Sequence, residues 1–170
     1  YKRQVLDFTT STPQATDYTY IHDIQGVGNN GSQAYLGKEV TIDAIVTAYV
    51  PGMNGFYVQE QPTDYDLNDA TSEGIFVHYG TNNPGVTMAS IGDTVTLSGL
   101  VAEYYNNTQI TYTQGFNVTR DGTVSDLPEP VTITLPTSNS FDFETVEGMY
   151  VNIKSGSEDG SLAVSYTHLT

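Results

Sequence analysis

The chain has 170 residues and a mass of 18.5 kDa, and its 5 Lys plus Arg stand against 20 Asp plus Glu for a net charge of −15. That length holds one ordinary domain with flanking pieces, and 38% hydrophobic residues with 13 Tyr are too much core material for a disordered acidic tail. Five cations cannot build a broad positive face, which argues against a generic basic nucleic-acid binder and against docking on anionic membranes, and the absence of Cys excludes disulfides, zinc–thiolate sites and cysteine nucleophiles.

The sequence begins at Tyr1 and reads as a piece of something longer. Residues 1–20, with Thr9-Thr10-Ser11-Thr12-Pro13, read as a linker from an upstream region. From Val40 the pattern turns to β. Ile42, Ala44, Val46 and Ala48 alternate with Thr41, Asp43, Thr47 and Tyr49, and Ile45 implies that the second face is partly covered too. Pro51-Gly52-Met53-Asn54-Gly55 is a turn, and Phe56 to Glu60 is a second strand. Residues 61–73 are a polar loop crowded with Asp. Gly74 to Tyr79 is a third strand, with Ile75, Val77 and Tyr79 on one face and Phe76 and His78 on the other.

Beyond a Gly/Asn/Pro-containing connection over 80–92, Thr94 to Tyr104 is the fourth strand, with Val95, Leu97 and Val101 inward and Gly99 where a bend or bulge would fit. Tyr105-Asn106-Asn107 turns the chain. Thr108 to Thr113 and Phe116 to Thr119 complete a fifth strand with room for a kink. The best candidates for a short helix are 65–72 and 86–91. Leu127-Pro128-Glu129-Pro130 is a linker signal, followed by an extended segment at Val131 to Leu135, a strand at Met149 to Ile153 and an unfinished apolar segment at Leu162 to Leu169. No apolar run approaches the length of a membrane span. Five strands within roughly eighty residues must cover their edges, which coiling into a small barrel achieves. Composition and periodicity reach "small β-barrel or sandwich" and leave that choice open.

The acidic loop is the strongest local chemistry. Asp64, Asp66, Asn68, Asp69 and Glu73 lie close together, and oxygen ligands at alternate positions are how short loops wrap Ca²⁺. The EF-hand register fails, because Asp69 stands where that loop needs Gly and Ile75 where it needs Glu. The alternatives are a solvated acidic loop and a structural Ca²⁺ site, and no cofactor is required by the sequence. His22 is expected to make a local hydrogen bond, and His78 to be a surface or edge residue.

The ordered segments IHDIQGVG at 21–28, VTIDAIVTA at 40–48, GFYVQEQ at 55–61, TSEGIFVHYG at 71–80, GDTVTLSGLVAEYYNNTQIT at 92–111, LPEPVTITLP at 127–136 and VEGMYV at 146–151 carry a resemblance. The chain resembles the OB-fold domain of secreted bacterial nucleases, which precedes an endonuclease/exonuclease/phosphatase-type catalytic domain. The resemblance implies an all-β fold: a five-stranded OB-fold-like barrel over 21–122, with extended segments at both ends. The linker from an upstream region occupies 1–20. Residues 123–170 are a linker and the truncated start of a following β segment, in which SYTHLT at 165–170 departs from the family.

It further implies a secreted, extracellular bacterial protein whose parent is a metal-dependent nuclease, with the downstream catalytic domain as its partner and no membrane. Catalytic residues are expected to be none. None of His22, His78 and His168 forms an Asp-His pair, and Asp66-Leu67-Asn68 is an isolated Asp-X-Asn. The expected role is a scaffold or spacer, with single-stranded nucleic acid as a second partner. For that partner the aromatic candidates on the sheet face are Tyr57, Phe76, His78, Tyr104 and Tyr112. Against it, no Lys or Arg lies between Lys38 and Arg120, and phosphate neutralisation is what supplies non-specific affinity. A carbohydrate- or cell-envelope-binding β module is the alternative.

Overall fold

The computed structural model describes residues 17–28, 30–81, 90–111, 117–124, 126–137 and 141–156. Tyr112, the 86–89 part of the second helix candidate, and residues 1–16 and 157–170 lie outside them. The first element is a short helix, α1 (Ile21–Gln25), followed by β1 (Glu39–Val50), a 3₁₀ turn (Pro51–Met53), β2 (Gly55–Gln59), β3 (Gly74–His78), β4 (Asp93–Tyr104), β5 (Asn107–Thr111) and β6 (Asn117–Thr123). Then come β7 (Val131–Leu135), α2 (Phe141–Glu144) and β8 (Val151–Ser155). Among the described residues no helix is long and apolar enough to cross a membrane.

The sheet closes on itself in the order β1-β2-β3-β5-β4-β1. All these pairings are antiparallel except β3–β5, which is parallel. This is a closed, five-position mixed barrel of OB-fold-like order. Closure depends on β1 serving two neighbours. Its first half, Glu39 to Ile45, pairs with β4, and its second half, Ile45 to Val50, pairs with β2. The register shifts between Val46 and Ala48, and such a bulge bends a strand enough to carry it from one neighbour to the next. β5 and β6 share the fifth position. β5 pairs with β4 from Leu100 to Tyr104, and β6 with β4 from Asp93 to Ser98. Against β4 the bulge lies on β6, where Asp121 is the extra residue opposite Thr94/Val95, whereas Gly99 pairs regularly with Val40, so of the bend or bulge expected at Gly99 the bulge is corrected.

Period-2 alternation sends Ile42, Ala44, Val46, Phe56, Val58, Ile75, Val77, Val95, Leu97, Val101 and Ile110 into one core, which Ile21 and Ile24 of α1 join. Ile45 is buried on the opposite face of β1, so that face is covered as its residue type demands. Two turns place residues in the left-handed region, Asn by its ordinary tolerance and Tyr105 against its type. Asn54 takes a left-handed conformation after the 3₁₀ turn, and Tyr105 and Asn106 both have positive φ, the I′-type geometry that matches strand twist in a tight hairpin.

Residues 65–72 are turns and not a helix. Asp66 and Asn68 accept main-chain N–H bonds from two residues ahead, and such local side-chain bonds compete with helical ones. β7 and β8 form a separate parallel pair, Val131 opposite Val151 through Leu135 opposite Ser155. The segment between them packs on the barrel. Ser72 Oγ donates to the Glu147 carbonyl, Tyr150 N–H donates to Gln59 Oε1 at 2.9 Å, and the main chains of Gly74 and Gly148 lie so close that a Cβ on either would strike the other.

Candidate functional site

Four of the five aromatic candidates come together. Phe76 and His78 project from the outer face of β3, Tyr104 stands at the end of β4, and these three line a groove of about 360 Å³ with Met53 and Gln109. Tyr57 of β2 packs on Phe76 at 4.9 Å between ring centroids. The expectation of an exposed platform needs correcting at Phe76, which is 3% exposed because its ring lies over Gly55 and under Tyr57. His78 is not an edge residue. It is half-buried in a strand paired on both sides, with Nδ1 3.5 Å from Thr111 Oγ1. No Lys or Arg is among the residues lining the groove. Arg120 of β6 is bound through both its Nη2 and Nε to the buried carboxylate of Asp93.

The acidic loop does not gather its five carboxylate and amide candidates around one point. Asp66 accepts from Asn68 N–H at 2.7 Å and from Thr71 Oγ1 at 3.0 Å. Although desolvation acts the other way, these bonds hold its carboxyl below the usual range. Asn68 is exposed and accepts from Ala70 N–H, and Asp69 is exposed. Asp64 faces a different cavity, of about 260 Å³, which it lines with Asp17, Asp43, Glu60, Tyr18 and Tyr20. There burial, and then the nearby charges of Asp121 and Asp64, push the Asp43 carboxyl up against a hydrogen bond from Gln61.

Only Glu73 turns fully inward, and it meets two residues that the sequence did not single out as a site. His22 Nδ1 lies 2.9 Å from Glu60 Oε2 and 3.0 Å from Glu73 Oε2. The three side chains come from α1, the residue after β2 and the residue before β3, where Glu60 N–H donates to the Glu73 carbonyl and so continues the β2–β3 ladder by one step. All three are buried, at 8%, 2% and 6% exposure for His22, Glu60 and Glu73. Ile21 N–H donates to Glu60 Oε1, and Asp66 N–H donates to Glu73 Oε1 at 3.1 Å. Burial, then the shared hydrogen bond with Glu73, pushes the Glu60 carboxyl up to about 9. The expectation of a local bond for His22 is thereby corrected: its partners lie 38 and 51 positions away. No local pattern announces such a group. The only trace in the sequence is that Glu60 and Glu73 flank the loop at its two strand ends.

A second acidic junction ties the barrel to the segment before β8. Glu147 Oε1 accepts from Asn107 Nδ2 at 2.8 Å and from Thr108 N–H at 2.9 Å. Burial, and then the neighbouring Glu144 and Glu103, push its carboxyl up to about 7.

No family model matches the chain, and no curated protein matches it. Among solved structures the chain is similar to one titled "Structure of the hypothetical protein ygiW from E. coli", with 11% sequence identity over 63% of this chain and 92% of that chain and a TM-score of 0.42.

Proposed function

We propose that the chain is a non-catalytic accessory domain of a secreted bacterial nuclease, an OB-fold-like barrel acting as scaffold and spacer for a catalytic domain in the same polypeptide. The nuclease context rests on the ordered sequence resemblance. The observation that carries the scaffold role is the occupied strand face. At Gln59, Ser72 and Gly74 the sheet is covered by the chain's own segment 147–150, through main-chain contact and hydrogen bonds. A barrel that binds its own continuation fixes the direction in which the chain leaves. Charge supports this role over presentation of nucleic acid, since a net charge of −15 opposes phosphates and Arg120 is already committed to Asp93.

Hydrogen exchange tests the scaffold role. Thr132, Ile133 and Thr134 in β7 should be protected to the same order as Val95 to Leu97 in β4. Gly74→Ala should lower β7–β8 protection by roughly tenfold or more while β4 stays protected. Unprotected β7–β8 amides in the unaltered protein would sink this reading.

One observation favours a second reading. The groove of Met53, Phe76, His78, Tyr104 and Gln109 offers ring faces and an amide but no cation among its lining residues. Such a lining suits a neutral ligand that stacks on aromatics, which is the chemistry of a carbohydrate or envelope glycan. Retention on a polysaccharide gel that Tyr104→Ala abolishes would identify it. Tight oligonucleotide binding at about 150 mM salt would overturn both readings.

A further inference from the structure

His22, Glu60 and Glu73 play no part in the scaffold contact, and their arrangement has a chemical imbalance. One imidazole nitrogen faces two carboxylate oxygens at 2.9 and 3.0 Å. A single N–H serves both only as a bent three-centre bond, weaker on each arm than a linear one. The outer oxygens, Oε1 of each Glu, are already held by main-chain N–H groups, which aims both Oε2 atoms at the same nitrogen. Two buried carboxyl groups this close hold either a shared proton or a cation between them, and a divalent metal ion can take the proton's place. A separate observation places an acidic space beside one of the three residues. Glu60 also lines the cavity of about 260 Å³ with Asp43 and Asp64, large enough for water and open to an approaching cation.

We propose that His22 Nδ1, Glu60 Oε2 and Glu73 Oε2 are the three protein ligands of a first-row divalent metal ion, Zn²⁺ being the best fit, with water from the acidic cavity completing its shell. All the ligand atoms lie within 4.8 Å of one another. Around an ion with bonds of roughly 2.0–2.2 Å, neighbouring ligands in a tetrahedral or octahedral shell sit about 3.0–3.5 Å apart, so the group needs only a slight opening to admit one. Three protein ligands and an open position are a familiar zinc arrangement. The imidazole nitrogen and the tight spacing select against Ca²⁺, which takes six to eight oxygens at longer distances. His22 ligates as the Nε2–H tautomer, and Tyr20, stacked on its ring at 5.1 Å and 11°, fixes the ring plane. The ion staples α1 to the ends of β2 and β3. Asn68 and Asp69, both exposed, are not among its ligands, and Asp66 borders it through its N–H on Glu73 Oε1.

The test uses the whole chain, stripped with a chelator that is then removed. ZnCl₂ added in a calorimeter should bind at one ion per chain and raise the melting temperature by roughly 5 °C or more at 100 times Kd. The ¹⁵N resonance of His22 Nδ1 should shift on Zn²⁺ addition. His22→Ala and Glu73→Gln should each weaken binding by about 100-fold or more, and Asp69→Asn should leave it unchanged. MnCl₂ binding lost in the same variants also supports the site. Binding of CaCl₂ alone overturns it, as does no Zn²⁺ or Mn²⁺ binding at about millimolar ion, or binding unchanged in both folded variants. If the variants do not fold, the ¹⁵N signal decides: a shift at His22 supports the site and its absence overturns it. None of these results bears on the exchange experiment that tests the scaffold role.

Discussion

The ring of Phe76 lies over Gly55 and against Tyr57, and that position decides what the residue does. Strand alternation correctly assigns it to the face opposite Ile75 and Val77, but alternation cannot tell which part of an outer face stays open. Phe76→Ala is therefore expected to cost about 3 kcal/mol of stability, read as a lower urea midpoint, because it empties a packed position. Tyr104→Ala, at a residue 62% exposed, should leave the midpoint nearly unchanged. His22 shows the opposite limit of sequence reading. A His at the start of a five-residue helix has no periodic signature, and its partners are reachable only once the barrel has brought three elements to one place. The acidic loop was legible as chemistry but not as geometry, since Asp66 and Asn68 use their oxygens on their own turn.

At the scale of elements, the strands were legible because half-burial imposes a period of two over five or more residues. The helices were not, since α1 and α2 are about one turn each and fall below any periodic window. The docking of the segment before β8 was equally hidden, because it depends on Glu147 meeting the β4–β5 hairpin. That contact has a pH signature. Burial, with Glu144 and Glu103 nearby, raises the folded carboxyl from its ordinary 4.5 to about 7. Between those values the folded state holds more protons than the unfolded one, so stability falls as pH rises and levels off above the folded value. Glu147→Gln keeps an oxygen for Asn107 and Thr108 and removes the charge. It should flatten this limb, a change on the order of 1 kcal/mol seen by denaturation at pH 5 and pH 8. A limb unchanged in the variant would show that another group sets it.

For the whole molecule, charge and topology pull in different directions. The net charge of −15 makes the compact state repel itself, and salt screens that repulsion. Raising NaCl from about 0.02 M to about 0.5 M should increase the melting temperature by roughly 2–5 °C in a thermal scan, whereas a fall would indicate that attractive pairs such as Arg120–Asp93 dominate. The five positions of the barrel were legible, though the fifth is shared by two strands, β5 and β6, and barrel and sandwich share the same alternation. What separates them is the parallel β3–β5 pairing and the bent β1, neither of which leaves a periodic mark.

The approach of Gly74 to Gly148 constrains how this molecule can be rebuilt or diversify. Two backbones meet there with no side chain between them, so no compensating swap of residue sizes is open to either position. A chimera that exchanges the barrel with another protein's must therefore carry both glycines across together, and a graft cut anywhere between them inherits half of a joint.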